Sequence, residues 1–166
     1  MSRASDALAQ IELARKYTRE LLDTFAADEW FKMPVGGVTH LAWQVGHLAS
    51  AEYFLCLTRA RGLKPEDLEF ITPEFRTRFG RESVAHADPA LYPPVAAIRA
   101  TFDRVHEQVL REVPTFADAD LDGPIDPPHR ICESKIECLR WCALHEMTHA
   151  GQIGLLRRLF GHAPVW

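Results

Sequence analysis

Residues 134–160, SKIECLRWCALHEMTHAGQIGLLRRLF, contain no proline, open with Ser134 and Glu137 at capping-box spacing, and stop just before Gly161. Arg157 and Arg158 complement the negative end of the dipole. The stretch predicts one long helix with its last turn at Phe160, and the rest of the chain follows the same period. Leu8, Ile11, Thr18, Leu21, Leu22 and Phe25 form an apolar stripe over Ala4 to Phe25, broken off by Pro34, Gly36 and Gly37. A second helix is predicted from Thr39, its N-cap, to Arg61, with Gly62 as the stop and Trp43, His47, Phe54 and Leu57 facing inward. A third, Pro94 to Glu112, spaces Val95, Ile98, Phe102, Val105 and Val109 three or four apart, and Pro114 ends it.

No segment alternates as a strand does, so the chain reads as all-α. Residues 62–93 hold Pro65, Pro73, Pro89 and Pro93 with Phe70, Phe75 and Phe79 between them, a composition that predicts a packed crossover or lid with a helical turn. Residues 113–132 form a second long loop, marked by Gly123, Pro124, Pro127 and Pro128. Two long connections out of three predict a four-helix bundle other than a simple up-down meander, in one domain over residues 1–166.

The chain has 166 residues, 47% of them hydrophobic, and a formal net charge of -4. That balance, with arginines scattered along the chain, argues against nucleic acid as a partner. No apolar run reaches the length of a membrane span, and the first residues read as amphipathic helix and not as an export signal. The expectation is a cytoplasmic protein without membrane contact, in which Cys56, Cys132, Cys138 and Cys142 stay free thiols.

Within the last helix, HEMTH at residues 145–149 matches the HExxH pattern of zinc peptidases. Residues four apart share a helix face, so His145 and His149 can meet one ion, whereas Glu146 points about 100° away. A peptidase then takes a third ligand from downstream. Here Gln152 and Leu155 stand where the extended motif needs Gly and His, and no carboxylate follows Ala150. His162 lies beyond the C-cap and no strand offers a substrate-binding edge, so the sequence argues against a peptidase. Cys138 and Cys142 lie about 16 and 10 Å along the axis from His149, too far for one ion to bind them all, and read as core fillers. His47, mid-helix on the second stripe, is the candidate third ligand. A lone histidine there is more often a core residue with satisfied nitrogens, but a histidine pair on another core-facing stripe favours a shared metal. His40, one heptad earlier, is placed at the rim. Glu146 is the catalytic candidate, read as an imidazole's partner or a surface glutamate ahead of a base.

With these residues in place the chain resembles the DinB-like superfamily of metal-binding four-helix bundles, which includes the damage-inducible family and bacillithiol- and mycothiol-dependent relatives. The resemblance rests on THLAWQVGHLASAEYF (39–54) and HEMTHAGQIGLLRRLFG (145–161) in that order. It implies an up-down-down-up bundle, a frequent homodimer, and His47, His145 and His149 as a triad holding a divalent metal, zinc or nickel, with open positions for water or substrate. It also implies transfer of a low-molecular-weight thiol to a small-molecule electrophile. Metal-dependent hydrolysis and a non-enzymatic or stress-associated metal-binding role are the alternatives. A cleft beside the metal would favour an enzyme, and a closed four-coordinate site a structural role.

Overall fold

The computed structural model describes residues 2–37 and 39–165. Its elements are α1 (Arg3–Leu22), α2 (Leu41–Glu52), a π-helical segment (Tyr53–Thr58) that runs on into α3 (Arg59–Arg61), then α4 (Pro73–Phe79), α5 (Val95–Glu112) and α6 (Lys135–Leu159). Short 3-10 turns fill the connections, and among the described residues there is no strand, only one isolated bridge between Pro124 and Ser134. The main pairings are α1 with α6 and α2 with α5, and α2 also packs against α4 and α6, so the last helix lies between the first and the second. Among the described residues no helix is long and apolar enough to cross a membrane.

Helix ends fall close to where local chemistry puts them. Ser2 caps α1 by accepting from the Ser5 amide, and the helix stops at Leu22, three residues short of Phe25, where the Thr24 and Phe25 amides turn to Leu21 and Leu22 three residues back. At α2 the cap is His40 and not Thr39: its Nδ1 accepts from the Trp43 amide at 3.1 Å. Its Nε2–H donates to the His86 carbonyl. His40 is therefore fully buried, not a rim residue, and desolvation holds its pKa down to about 4. Glu137 accepts from the Glu133 amide at 2.7 Å at the start of α6, and Gly161 ends it with φ 91°.

The crossover between α3 and α5 is ordered by its aromatics. Phe75 and Phe79 of α4 are buried and Phe70 packs against the same core, which settles their role as core residues. α2 is enclosed on nearly every side. The predicted inward row is only half-buried: Trp43, His47 and Ala51 of α2 and Phe54 of the π segment are partly open, while Leu41, Ala42, Gln44, Val45, Leu48 and Ala49 are buried. Of the row predicted to face inward, Leu57 is fully buried, Trp43 and Phe54 pack against the core edge, and His47 and Phe54 also line a cleft.

Candidate metal centre

His145 and His149 stand one turn apart on α6, and His47 faces them from α2. Their nearest ring nitrogens all lie within 4.8 Å of one another, an arrangement that could hold a metal ion. The geometry follows from hydrogen bonds that fix which nitrogen is free. His47 Nδ1–H donates to the Phe79 carbonyl at 2.9 Å, so its Nε2 carries the lone pair. The ring also stacks on Trp43, 4.8 Å between centroids and 8° from parallel.

His149 is set by a longer chain. Gln44 Nε2 donates to Thr39 Oγ1 at 3.0 Å and to Gln152 Oε1 at 2.9 Å. That leaves Gln44 Oε1 to accept from His149 Nδ1–H in a short bond. Again Nε2 is left free. The Nε2 atoms of His145 and His149 face each other at 3.2 Å, the spacing of two ligands each about 2.1 Å from one ion. Two imidazoles whose Nδ1–H groups are bound to oxygen acceptors, and a third whose Nε2 lies against one of theirs, could hold a divalent ion of the kind imidazole favours.

The imidazoles are held neutral, as ligation requires. Burial pushes His149 down to about 3, helped by His145 and His47, and His145 down to about 4, helped by His47 and His129. Burial lowers His47 as well, partly offset by the Phe79 carbonyl. Each folded value lies below the unfolded value near 6.5, so the unfolded chain binds more protons in acid, and the stability present above about pH 6.5 is lost as pH falls toward about 4. For chelator-treated protein the stability read from urea melts should drop between pH 7.5 and pH 5, on the order of 2 kcal/mol for each of His145 and His149. An unchanged midpoint would mean that the fold tolerates the protonated rings.

Gly46 lets α4 pack close enough to orient His47. A Cβ there would stand 2.3 to 2.6 Å from ring atoms of Phe79, whose side chain is fully buried, and the Phe79 carbonyl is what orients His47. Gly46→Ala should cost about 1–3 kcal/mol by overpacking and weaken metal binding with it. Urea melts and metal titration of that variant check both; wild-type values in both would show that α4 moves aside freely.

Glu146 goes elsewhere. It is 2% exposed, which corrects the surface reading, and both its oxygens face Arg15, Oε1 at 2.8 Å from Nε and Oε2 at 3.1 Å from Nη2. Arg15 also donates to Glu52 at 2.6 Å and to the Phe102 carbonyl at 3.0 Å, and Glu52 pairs with His106 at 2.7 Å. Sequence reasoning passed over Arg15, Glu52 and His106. One signal was available: Arg15 falls on the stripe of Leu8, Ile11, Thr18 and Leu22, where a charge needs a partner.

The other candidates are accounted for. His162 pairs with Glu29 at 2.8 Å, away from the triad. The four cysteines are free and buried, and none belongs to the histidine group. A cavity of about 240 Å³ opens on His47 and His145, walled by Phe54, Leu55 and Trp141 and rimmed by Arg59, Arg81 and His129.

A helical bundle with three convergent imidazoles on two facing helices, open on one side to a cleft, defines a metalloprotein-like bundle of the three-histidine kind. The sequence pattern of the DinB superfamily matches residues 10–153, and the chain belongs to that superfamily. No curated protein matches the chain.

Proposed function

We propose that the protein is a divalent-metal-dependent transferase that joins a small thiol to a small electrophile, with His47, His145 and His149 as the metal ligands and zinc or nickel as the ion. The observation that carries this reading is the cleft: His47 and His145 line it, so the triad is not closed off by a fourth protein ligand as in a structural site. An ion held there would lower the pKa of a thiol or water brought to it.

One feature favours a thiol from outside over the protein's own, and another argues against hydrolysis. The protein's own thiols are poor nucleophiles: burial raises Cys138 to about 12, and the neighbouring Cys56 thiol together with burial raises Cys142 well above its usual range. Hydrolysis profits from a general base beside the water, and the nearest carboxylate in sequence, Glu146, spends both oxygens on Arg15. We therefore read Glu146 as a structural residue. The cleft walls, Phe54, Leu55 and Trp141, would shield the reacting pair from bulk water.

The test is incubation of metal-loaded protein with an electrophile such as monobromobimane and a panel of cellular thiols, followed by mass spectrometry of the adducts. A thioether formed faster than in buffer, and dependent on the ion, is the expected result. No acceleration with any thiol would remove the transferase reading.

A further inference from the structure

The cleft has a charge pattern that metal binding does not explain. Arg59 and Arg81 both line it, together with His129, and among the described residues no carboxylate does. The chain carries 23 acidic residues against 19 basic ones, and two of its buried arginines are held by carboxylates. Arg15 is held by Glu52 and Glu146, and Arg61 by Asp67 and Glu112. Arg59, half-buried, has no ion pair among the described residues. Its Nε donates to the Pro127 carbonyl at 3.1 Å, its guanidinium lies 6.0 Å from the Phe54 ring, and its two Nη groups have no hydrogen-bond partner there. Arg81 has only Glu82 at 3.9 Å, a pair well exposed to solvent and worth little. Burial lowers the pKa of His129, and Arg59 and then Arg81 add to that, so both guanidiniums lie near one imidazole at the rim.

Arg59 owes its place to the π segment. It stands twelve residues after His47, and in an unbroken α-helix that is about 120° round the axis. A π turn inserts one residue, removing about 100°, which leaves Arg59 within about 20° of the His47 face. The irregular turn at Tyr53–Thr58 thus sets a cation over the same cleft that the triad opens on.

We propose that this cleft takes a small organic carboxylate with an apolar body: the carboxylate is held by Arg59 and Arg81, the body lies against Phe54, Leu55 and Trp141, and the far end points to the triad. The planar guanidinium fork matches a carboxylate, and a cavity below the roughly 300–1,000 Å³ of drug-sized sites limits the ligand to a small one. The inference names the substrate class of the same site and rests on the transferase reading only for what happens at the ligand's far end.

Calorimetry with 3-phenylpropionate and its neutral amide tests it, on both metal-loaded and chelator-treated protein. The acid should bind at least about tenfold more tightly than the amide in both forms, and Arg59→Gln or Arg81→Gln should remove most of that difference while leaving amide binding and metal content unchanged. Equal binding of acid and amide overturns the proposal. So does binding lost on metal removal and indifferent to both arginine variants, because the carboxylate would then be going to the ion. If the protein held no ion at all, the acid-versus-amide difference would still be read on the chelator-treated form, so failure of the metal reading is separable from failure of this one.

Discussion

Replacing Arg15 by methionine should cost about 3–5 kcal/mol, the largest loss of stability expected of any single substitution in this chain. The guanidinium is 1% exposed and is the cation that faces the carboxylates of Glu52 and Glu146, themselves 1% and 2% exposed, from three different helices. Burial works against its charge, but Glu146 and Glu52 outweigh that and raise its pKa. Glu52 is the mirror case. Burial pushes it up, yet Arg15 and His106 bring its carboxyl below the usual range, so it contributes stability above about pH 4.3 that is lost on acidification. Without Arg15 the Glu146 carboxylate is left buried with no cation and Glu52 keeps only His106, so one of the two carboxyls must take up a proton. The variant should therefore unfold at lower urea at pH 7 and recover part of the difference near pH 5, the reverse of the wild-type trend. A methionine variant as stable as wild type would show that the network sets specificity and not stability. Glu146→Gln is the gentler companion, with a loss of about 1–3 kcal/mol. It also separates the two readings of this residue, since a variant that stays folded and metal-loaded but loses turnover would make Glu146 catalytic.

The network shows where sequence reading reaches its limit. Period and capping were enough for the bundle, because α1, α5 and α6 each present an apolar face whose spacing survives in one dimension. The triad was legible for a similar reason: two histidines four apart on one helix need a partner across the core, and His47 stood on the facing stripe. Arg15, Glu52 and His106 were not, since pairing between residues 37 to 131 apart in sequence leaves no local pattern. Nor were the acceptors that orient the imidazoles. Gln152 looked only like a mismatch to an extended peptidase motif, yet it holds the Gln44 amide that turns His149 inward. The π turn was invisible too, because Tyr53–Thr58 contains neither proline nor glycine to mark a break, and with it went the place of Arg59 on the His47 side of the helix. A stripe read at strict helical spacing gives the right residues together but not what they face.

His149→Ala should lose most of the metal, from about one divalent ion per chain in the wild type to a small fraction after gel filtration, measured by elemental mass spectrometry. Of the three ligands it is the one whose position is most fully determined. It is the most buried of the three, its Nδ1 is committed to Gln44, and Gln44 is in turn committed to Thr39 and Gln152, so its Nε2 has one direction left to point. The same logic ranks the variants around it. Gln44→Leu removes the acceptor that fixes the ring and should weaken metal affinity about 10–100-fold with the triad intact. His162→Ala, whose imidazole belongs to Glu29, should leave metal content unchanged although it shares the C-terminal region with the triad. His47→Ala should match His149→Ala, because two imidazoles on one helix are too few for a tight site. If His149→Ala retained its full complement, the 3.2 Å approach of two free Nε2 atoms on α6 would be core packing and not a ligand pair, and the transferase reading would fall with it.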